Sequence, residues 1–308
     1  TFADTVFFTN SGAEAVECAI KTARRYHYAN GNPQRHTLIT FDTAFHGRTL
    51  GTISATNQPK MRDGFEPLLP GFAYAQFNDL EGALALIDDN TAGFLVEPIQ
   101  GEGGDNHFRP EFLQGMQALC REFDALFILD EVQTGVGMTG TAWAYQQFGV
   151  QPDVIAFGKK TQVCGVMAGG RVDEVPDNVF VVSSRLNSTW GGNLTDMVRS
   201  RRILEVVESD GLIARAAELG AHLMDGLHDL AAKHAIVTEV RGRGLMCAFT
   251  LPSAQIRDEV VTRLREDERV MVLGCGASSL RFRPALTVSV EDLDRGVSAL
   301  DRVLTSIA

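Results

Sequence analysis

The chain has 308 residues, 44% of them hydrophobic, enough to bury one large core or two ordinary ones, so two domains are expected. Its 39 acidic residues against 28 basic ones leave a formal charge of −11, an unfavourable balance for holding a phosphate backbone, which excludes nucleic acid as the main ligand. No apolar run approaches the roughly 20 residues of a membrane span, and the N-terminus lacks the basic and apolar regions of a signal peptide, so a soluble, cytoplasmic protein is expected. Five scattered cysteines without a C-x-x-C pair argue against a disulfide framework or a zinc site, and no metal is expected.

The chain opens on "TFADTVFFTN", a strand pattern without an initiator Met, which predicts that something is missing upstream. Ser11 and Glu14 then form an S-x-x-E capping box at the head of a helix whose Val16, Ile20, Ala23 and His27 share one face. Further on, short apolar runs of the buried parallel type predict strands at 37–40, 94–96, 126–129, 154–157 and 179–182, with helix-length stretches between them. From about Thr195 to His234 the pattern is helical. A strand follows in "VTEVRGRGLMCAFTL", then a helix around "IRDEVVTRLRED" and strands near "RVMVLG" and "SLRFRP". A last helix starts at Ser289 and turns Leu293, Val297, Leu300, Leu304 and Ile307 inward. His222, His228 and His234 recur every six residues, which is not helical ligand spacing, and read as surface. The alternation predicts an open α/β sheet with right-handed crossovers and ligands at the carboxyl ends of its strands. It divides softly near residue 205 into a large domain, 1–204, and a smaller α+β domain, 205–308.

The strand ends carry the charge. Glu97 follows one apolar run, Asp130 another, and Gly158 with Lys159 a third, each trailed by glycines ("GEGG", "TGVG", "FGKK"). A lysine at the end of a core strand is costly to bury without work or a partner. Desolvation lowers its pKa and exposes a neutral amine that attacks a carbonyl to form a Schiff base. Pyridoxal 5'-phosphate is held in that way, and it needs a carboxylate at its ring nitrogen and a cradle for its phosphate. Asp130 fits the first need. Ser11, Gly12 and Ala13 in "NSGAEA" fit the second, because glycine admits the backbone and the N–H groups of a new helix point at an anion.

The motifs "TNSGAEA", "AFHGR", "EPIQGEGG", "LDEVQTG", "FGKKTQ", "STWGGN" and "RFRPALT", in that order, resemble the class III (omega-amino acid) pyridoxal-phosphate aminotransferases over nearly the whole chain. The resemblance implies fold type I, a mainly parallel central sheet flanked by helices with a smaller C-terminal α+β domain, and a homodimer with shared active sites. It implies that Lys159 bonds the cofactor and that Asp130 partners its ring nitrogen, with Lys160 a structural or phosphate-facing neighbour. Val132 and Phe45 would pack on the two ring faces, Gln133 would reach the ring hydroxyl, and His46 is a weaker candidate for contact. Thr189 would reach the phosphate of the neighbouring subunit. Arg281 would hold a substrate α-carboxylate, Glu102 would be its removable counter-charge, and Arg48 would hold the carboxylate of the amino donor. The resemblance also leads one to expect that the family's N-terminal segment, which covers the pocket, is lacking here.

From about residue 106 onward the chain resembles L-lysine 6-aminotransferases, whereas the earlier part is more similar to acetylornithine aminotransferases. The reaction implied is transfer of the terminal amino group of L-lysine to 2-oxoglutarate, giving 2-aminoadipate 6-semialdehyde and glutamate, with an amino acid and a 2-oxo acid as small-molecule partners. Acetylornithine or ornithine is the alternative donor. Two readings from other classes stand beside these. One is a truncated or chimeric scaffold without turnover. The other is a dinucleotide-binding dehydrogenase built on the G-x-G-x-x-G at 135–140, which lacks the acidic residue expected about 20 positions on.

Overall fold

The computed structural model describes residues 1–307. In chain order the strands are β1 (Thr5–Thr9), β2 (Thr37–Phe41), β3 (Phe72–Ala75), β4 (Thr91–Val96), β5 (Ile99–Gln100), β6 (Asn106–His107), β7 (Leu126–Asp130), β8 (Val154–Phe157) and β9 (Cys164–Ala168), followed by β10 (Thr238–Arg243), β11 (Met246–Thr250), β12 (Leu273–Cys275) and β13 (Ser279–Phe282). The helices are α1 (Gly12–Ala29), α2 (Leu50–Ala55), α3 (Pro59–Arg62), α4 (Leu80–Ala85), α5 (Pro110–Glu122), α6 (Leu194–Ser209), α7 (Leu212–Lys233), α8 (Ala254–Glu266) and α9 (Val290–Ile307). They form two compact units. One comprises Thr1–Pro98, Phe108–Gly135 and Ala144–Leu204; the other comprises Ile99–His107, Val136–Trp143 and the chain from Glu205 onward. A single boundary near 205 therefore misses two short segments, 99–107 and 136–143, that belong with the second unit.

The first unit is built on a seven-stranded sheet in the order β1-β9-β8-β7-β4-β2-β3. Its strands from β8 to β3 run parallel, and β9 runs antiparallel to both β8 and β1. Every residue of β4, β7 and β8 is buried, as expected of parallel strands covered on both faces. Leu126 and Ile128 join Val154 and Ala156 in a cluster with α1, whose Val16, Ile20, Ala23 and His27 are all buried. Ser11 caps α1 by accepting the Glu14 N–H at 3.2 Å, but the Glu14 carboxylate reaches back to the Asn10 N–H, at 2.7 Å, one residue past the Ser11 N–H that a capping box engages.

No strand forms at 179–182. Val179 is buried and Phe180 half-buried, yet Asn178 accepts the Phe180 N–H at 2.8 Å and turns the chain, leaving Val181 and Val182 exposed. The β-branched composition of 179–182 does not make a strand, and β9, made of "CGVMA", pairs with β8 and β1.

The second unit holds the antiparallel sheet β10-β11-β13-β12 with α7 and α8 packed on it and α9 packed on those two helices. The single strand expected in "VTEVRGRGLMCAFTL" is a hairpin, with Gly244 at φ +54 in its turn. A Cβ on Gly220 of α7 would lie 2.1 Å from the Gly244 carbonyl, so only glycine lets this helix lie on the hairpin. Among the histidines read as surface, His234 is buried and bonds Asp301 at 2.6 Å, whereas His222 and His228 are exposed. In α9, Ala299 and Val303 are buried with Leu293, Leu300 and Leu304, in place of the fully buried Val297 and Ile307 of the sequence pattern. The G-x-G-x-x-G stretch does not open a helix, and Gly137 and Gly140 sit in turns at φ +83 and +86.

Glu131, next to Asp130, is fully buried and accepts from the Thr134 hydroxyl at 2.7 Å and from the Ala144 and Tyr145 N–H groups at 2.8 Å each. Burial pushes its carboxyl up, against the pull of these bonds. Glu131→Ala strands three donors at roughly 1–3 kcal/mol each, so we expect a loss of about 3 kcal/mol or more, read as a lower urea midpoint of the first unit.

Candidate active site

Three consecutive parallel strands, β8, β7 and β4, end at one place. Lys159, Asp130 and Glu97, at or just past their carboxyl ends, line a single cavity of about 380 Å³ together with Gly12, Ala13, Phe45, His46, Gly47, Arg48, Val132, Gln133 and Cys164. Its size lies within the roughly 300–1,000 Å³ of small-molecule sites.

Asp130 closes β7 and is 6% exposed. One carboxylate oxygen accepts the Val132 N–H at 3.1 Å, and the other lies 2.9 Å from His46 Nδ1. His46, 2% exposed, is fixed through its own N–H to Thr56 Oγ1 at 2.9 Å, and its Nε2 has no hydrogen-bond partner among the described residues. Glu97 is also 6% exposed and accepts the Phe45 N–H at 2.8 Å, setting the residue that carries the Phe45 ring. Arg48 is exposed at the rim, its guanidinium 5.6 Å from the centre of that ring.

After β8 the chain must reverse to enter antiparallel β9, and it does so in one turn of 3₁₀ helix at Lys159–Thr161. Lys159 takes φ +53 and Gln162 φ +57, strained for side-chain-bearing residues and held by the Gln162 N–H to the Lys159 carbonyl at 3.0 Å. The strand does not continue to Lys160. That side chain turns the other way and donates to the Gln133 carbonyl, pinning the segment that carries Val132 and Gln133. Cys164, the first residue of β9, faces the cavity with its thiol pushed up by burial.

The Gly12 and Ala13 N–H groups precede the first bonds of α1, because Ser11 takes the Glu14 N–H through its hydroxyl and the Ala15 N–H through its carbonyl. Ser11 itself is exposed and does not line the cavity. A Cβ on Gly12 would come within 2.8 Å of Val132 Cγ1, so glycine keeps the helix head close to Val132.

Three further predicted residues are not among those that line this cavity. Thr189 is exposed, beside Trp190 at 71% exposure. Glu102 and Arg281 belong to the second unit, where Arg281 Nη2 bonds Glu102 Oε1 at 2.8 Å. Burial opposes the Arg281 charge, but the Glu102 bond outweighs it and holds the guanidinium above its usual pKa.

The model of the Aminotransferase class-III family matches residues 1–304. The chain belongs to the class III aminotransferases. It is 51% identical over 325 residues to an L-lysine-epsilon aminotransferase of Mycobacterium tuberculosis, covering 97% of this chain and 72% of the relative. It is 40% identical over 309 residues to an acetylornithine aminotransferase of Agrobacterium fabrum, covering 100% and 76%. The solved lysine aminotransferase from M. tuberculosis in the internal aldimine form matches with a TM-score of 0.95 at 47% identity, covering 100% of this chain and 76% of that one.

Class III aminotransferases use pyridoxal 5'-phosphate, and the residues present fit it. The cavity offers an amine, a buried carboxylate, two helix-head N–H groups and, at Val132 and Phe45, flat apolar walls. The His46–Asp130 link spans 84 positions in sequence and was not read there; nor were Gly47 and Cys164, whose only signal is proximity to predicted residues. His46→Ala removes a hydrogen bond to a buried carboxylate, worth about 1.5–3 kcal/mol. Titration of the cofactor-free protein with pyridoxal phosphate is expected to show at least about tenfold weaker binding for this variant.

Proposed function

We propose that this chain transfers the terminal amino group of L-lysine to 2-oxoglutarate, giving 2-aminoadipate 6-semialdehyde and glutamate. When bound, the cofactor supplies an aldehyde that takes and returns the amino group and a ring that draws electron density from the reacting carbon. We assign Lys159 Nζ to hold that aldehyde and, once the donor amine has displaced it, to carry the proton to and from the substrate carbon. Asp130, oriented by His46, holds a proton at the ring nitrogen. Gly12 and Ala13, with Ser11 as their cap, receive the phosphate. Val132 and Phe45 confine the ring, and Gln133 meets its hydroxyl.

The observation that carries the choice of substrates is the Arg281–Glu102 pair. Nη2 is shared by both two-nitrogen edges of a guanidinium, so a carboxylate seated there blocks either bidentate approach. Arg281 Nε and Nη1 are buried and have no hydrogen-bond partner among the described residues. Withdrawal of Glu102 opens the fork to the carboxylate of 2-oxoglutarate, and its return masks the charge while a diamino acid binds by its distal amine. Arg48 at the cavity rim is assigned to the donor carboxylate. Identity to lysine aminotransferases above that to acetylornithine aminotransferases favours lysine as donor.

The same reading makes the protein a homodimer in the cytoplasm, with Thr189 lent to the phosphate of the partner copy. Val6, Val181, Trp190, Leu194 and Val198 are large, apolar and exposed, which suits a surface that a second copy covers. Free cysteines suit a reducing compartment, and no helix is long and apolar enough to cross a membrane among the described residues.

With 2-oxoglutarate as acceptor, L-lysine is expected to give the highest kcat/KM in a panel with ornithine and N-acetylornithine. Preference for acetylornithine would reassign the donor, and no conversion by a yellow holoprotein would leave an inert scaffold. Lys159→Ala is expected to cut kcat by about 10³-fold or more, while Lys160→Ala retains turnover.

A further inference from the structure

The turn that carries Glu102 is held at every carbonyl. The Gly101 carbonyl accepts the Gly104 and Asp105 N–H groups at 3.4 and 3.3 Å, that of Glu102 accepts the Gly276 N–H at 3.0 Å, and that of Gly103 accepts Asn106 Nδ2 at 3.2 Å. Arg241 spans the last two, donating from Nη2 to the Gly104 carbonyl and from Nε to that of Asp105 at 2.9 Å. Gly276 sits at φ +55, and a Cβ there would come within 2.6 Å of the Gly103 carbonyl oxygen, so the turn is in van der Waals contact with the chain before β13.

One side chain adds a second anchor. Asp105, at 0% exposure and φ +54, forms an ion pair through Oδ1 with Arg283 Nη2, and its Oδ2 has no partner among the described residues. Arg283 lies two residues beyond Arg281 and one past the end of β13. Two acids on one turn thus face two arginines on one strand end: Glu102 with Arg281, and Asp105 with Arg283. The pairs differ in exposure. The Glu102 side chain is 31% exposed, whereas that of Asp105 is 0%.

We propose that Asp105 is a positioning residue for the substrate switch: by occupying Arg283 and tying the 101–105 turn to the end of β13, it fixes the register in which Glu102 meets Arg281. The backbone bonds set the path of the turn, and the Asp105–Arg283 pair holds the arginine next but one to the one that Glu102 faces. Without the Asp105 charge, the part-buried Arg283 loses this carboxylate, and Glu102, three residues away on the same turn, is the nearest acid in sequence to replace it. Glu102 would then divide itself between two arginines, and its hold on Arg281 would no longer govern access to a dicarboxylate.

This proposal rests on the reading of Arg281 and Glu102 given above, and the test separates the two. Binding of glutarate, an unreactive dicarboxylate, to the holoenzyme is measured by calorimetry in four proteins: wild type, Glu102→Gln, Asp105→Asn and the double variant. In the wild-type background, Glu102→Gln is expected to tighten glutarate about tenfold by removing the competing carboxylate. In the Asp105→Asn background the same change is expected to alter affinity less than about threefold, a failure of additivity that diagnoses coupling between the two acids. If Glu102→Gln has the same effect in both backgrounds, Asp105 is structural only and the proposal falls. If Glu102→Gln has no effect in the wild type, the switch reading itself falls, and this proposal with it. Arg283→Lys, which keeps the charge but not the fork, serves where Asp105→Asn fails to fold, and an intermediate loss of coupling is then expected; full coupling in it overturns the proposal.

Discussion

Both oxygens of Asp130 are engaged before any ligand arrives. At the end of a strand buried on both faces, a carboxylate would be costly to keep without partners, and here the Val132 N–H and His46 Nδ1 supply them. The same two bonds aim the group. The Val132 N–H belongs to the residue whose side chain walls the cavity, and His46 follows Phe45, whose N–H Glu97 holds. Phe45, Val132 and the Asp130 carboxylate in the cavity lining are therefore parts of one network, with strand ends as its fixed points.

The place of Lys159 in the cavity lining is set by a reversal of direction. Parallel β8 must pass to antiparallel β9 in six residues, and that short connection gives Lys159 its positive φ and throws Lys160 to the other side. Two adjacent lysines thereby acquire separate duties. Lys159 faces the cavity, and Lys160 bonds the Gln133 carbonyl, tying the connection to the segment after Asp130. In the second unit a comparable economy appears at 101–105, where the backbone is bonded throughout and one half-exposed carboxylate, Glu102, is left to respond.

Much of this was legible in the sequence because it is local. Apolar runs marked β4, β7 and β8, and the charges after them marked the cavity; no periodicity was needed beyond a strand ending in a charge and a glycine. What was not legible is what topology decides. β9 is built of small residues and declares itself only by pairing with β1 and β8, while 179–182 has a better strand composition and forms none. The partnership of His46 with Asp130 and that of Asp105 with Arg283 join positions 84 and 178 residues apart, and nothing in either neighbourhood names the other. The segments 99–107 and 136–143, which leave the first unit just after β4 and β7, could not be assigned to the second by composition.

The central claim is that the amine of Lys159 and the carboxylate of Asp130 address opposite ends of one pyridine ring. A crystal structure of the protein reconstituted with pyridoxal phosphate tests it most directly. The account predicts density continuous from Lys159 Nζ to the cofactor, with the ring nitrogen within hydrogen-bond distance of Asp130. A cofactor joined to Lys160, or a ring whose nitrogen meets some other group, would contradict it.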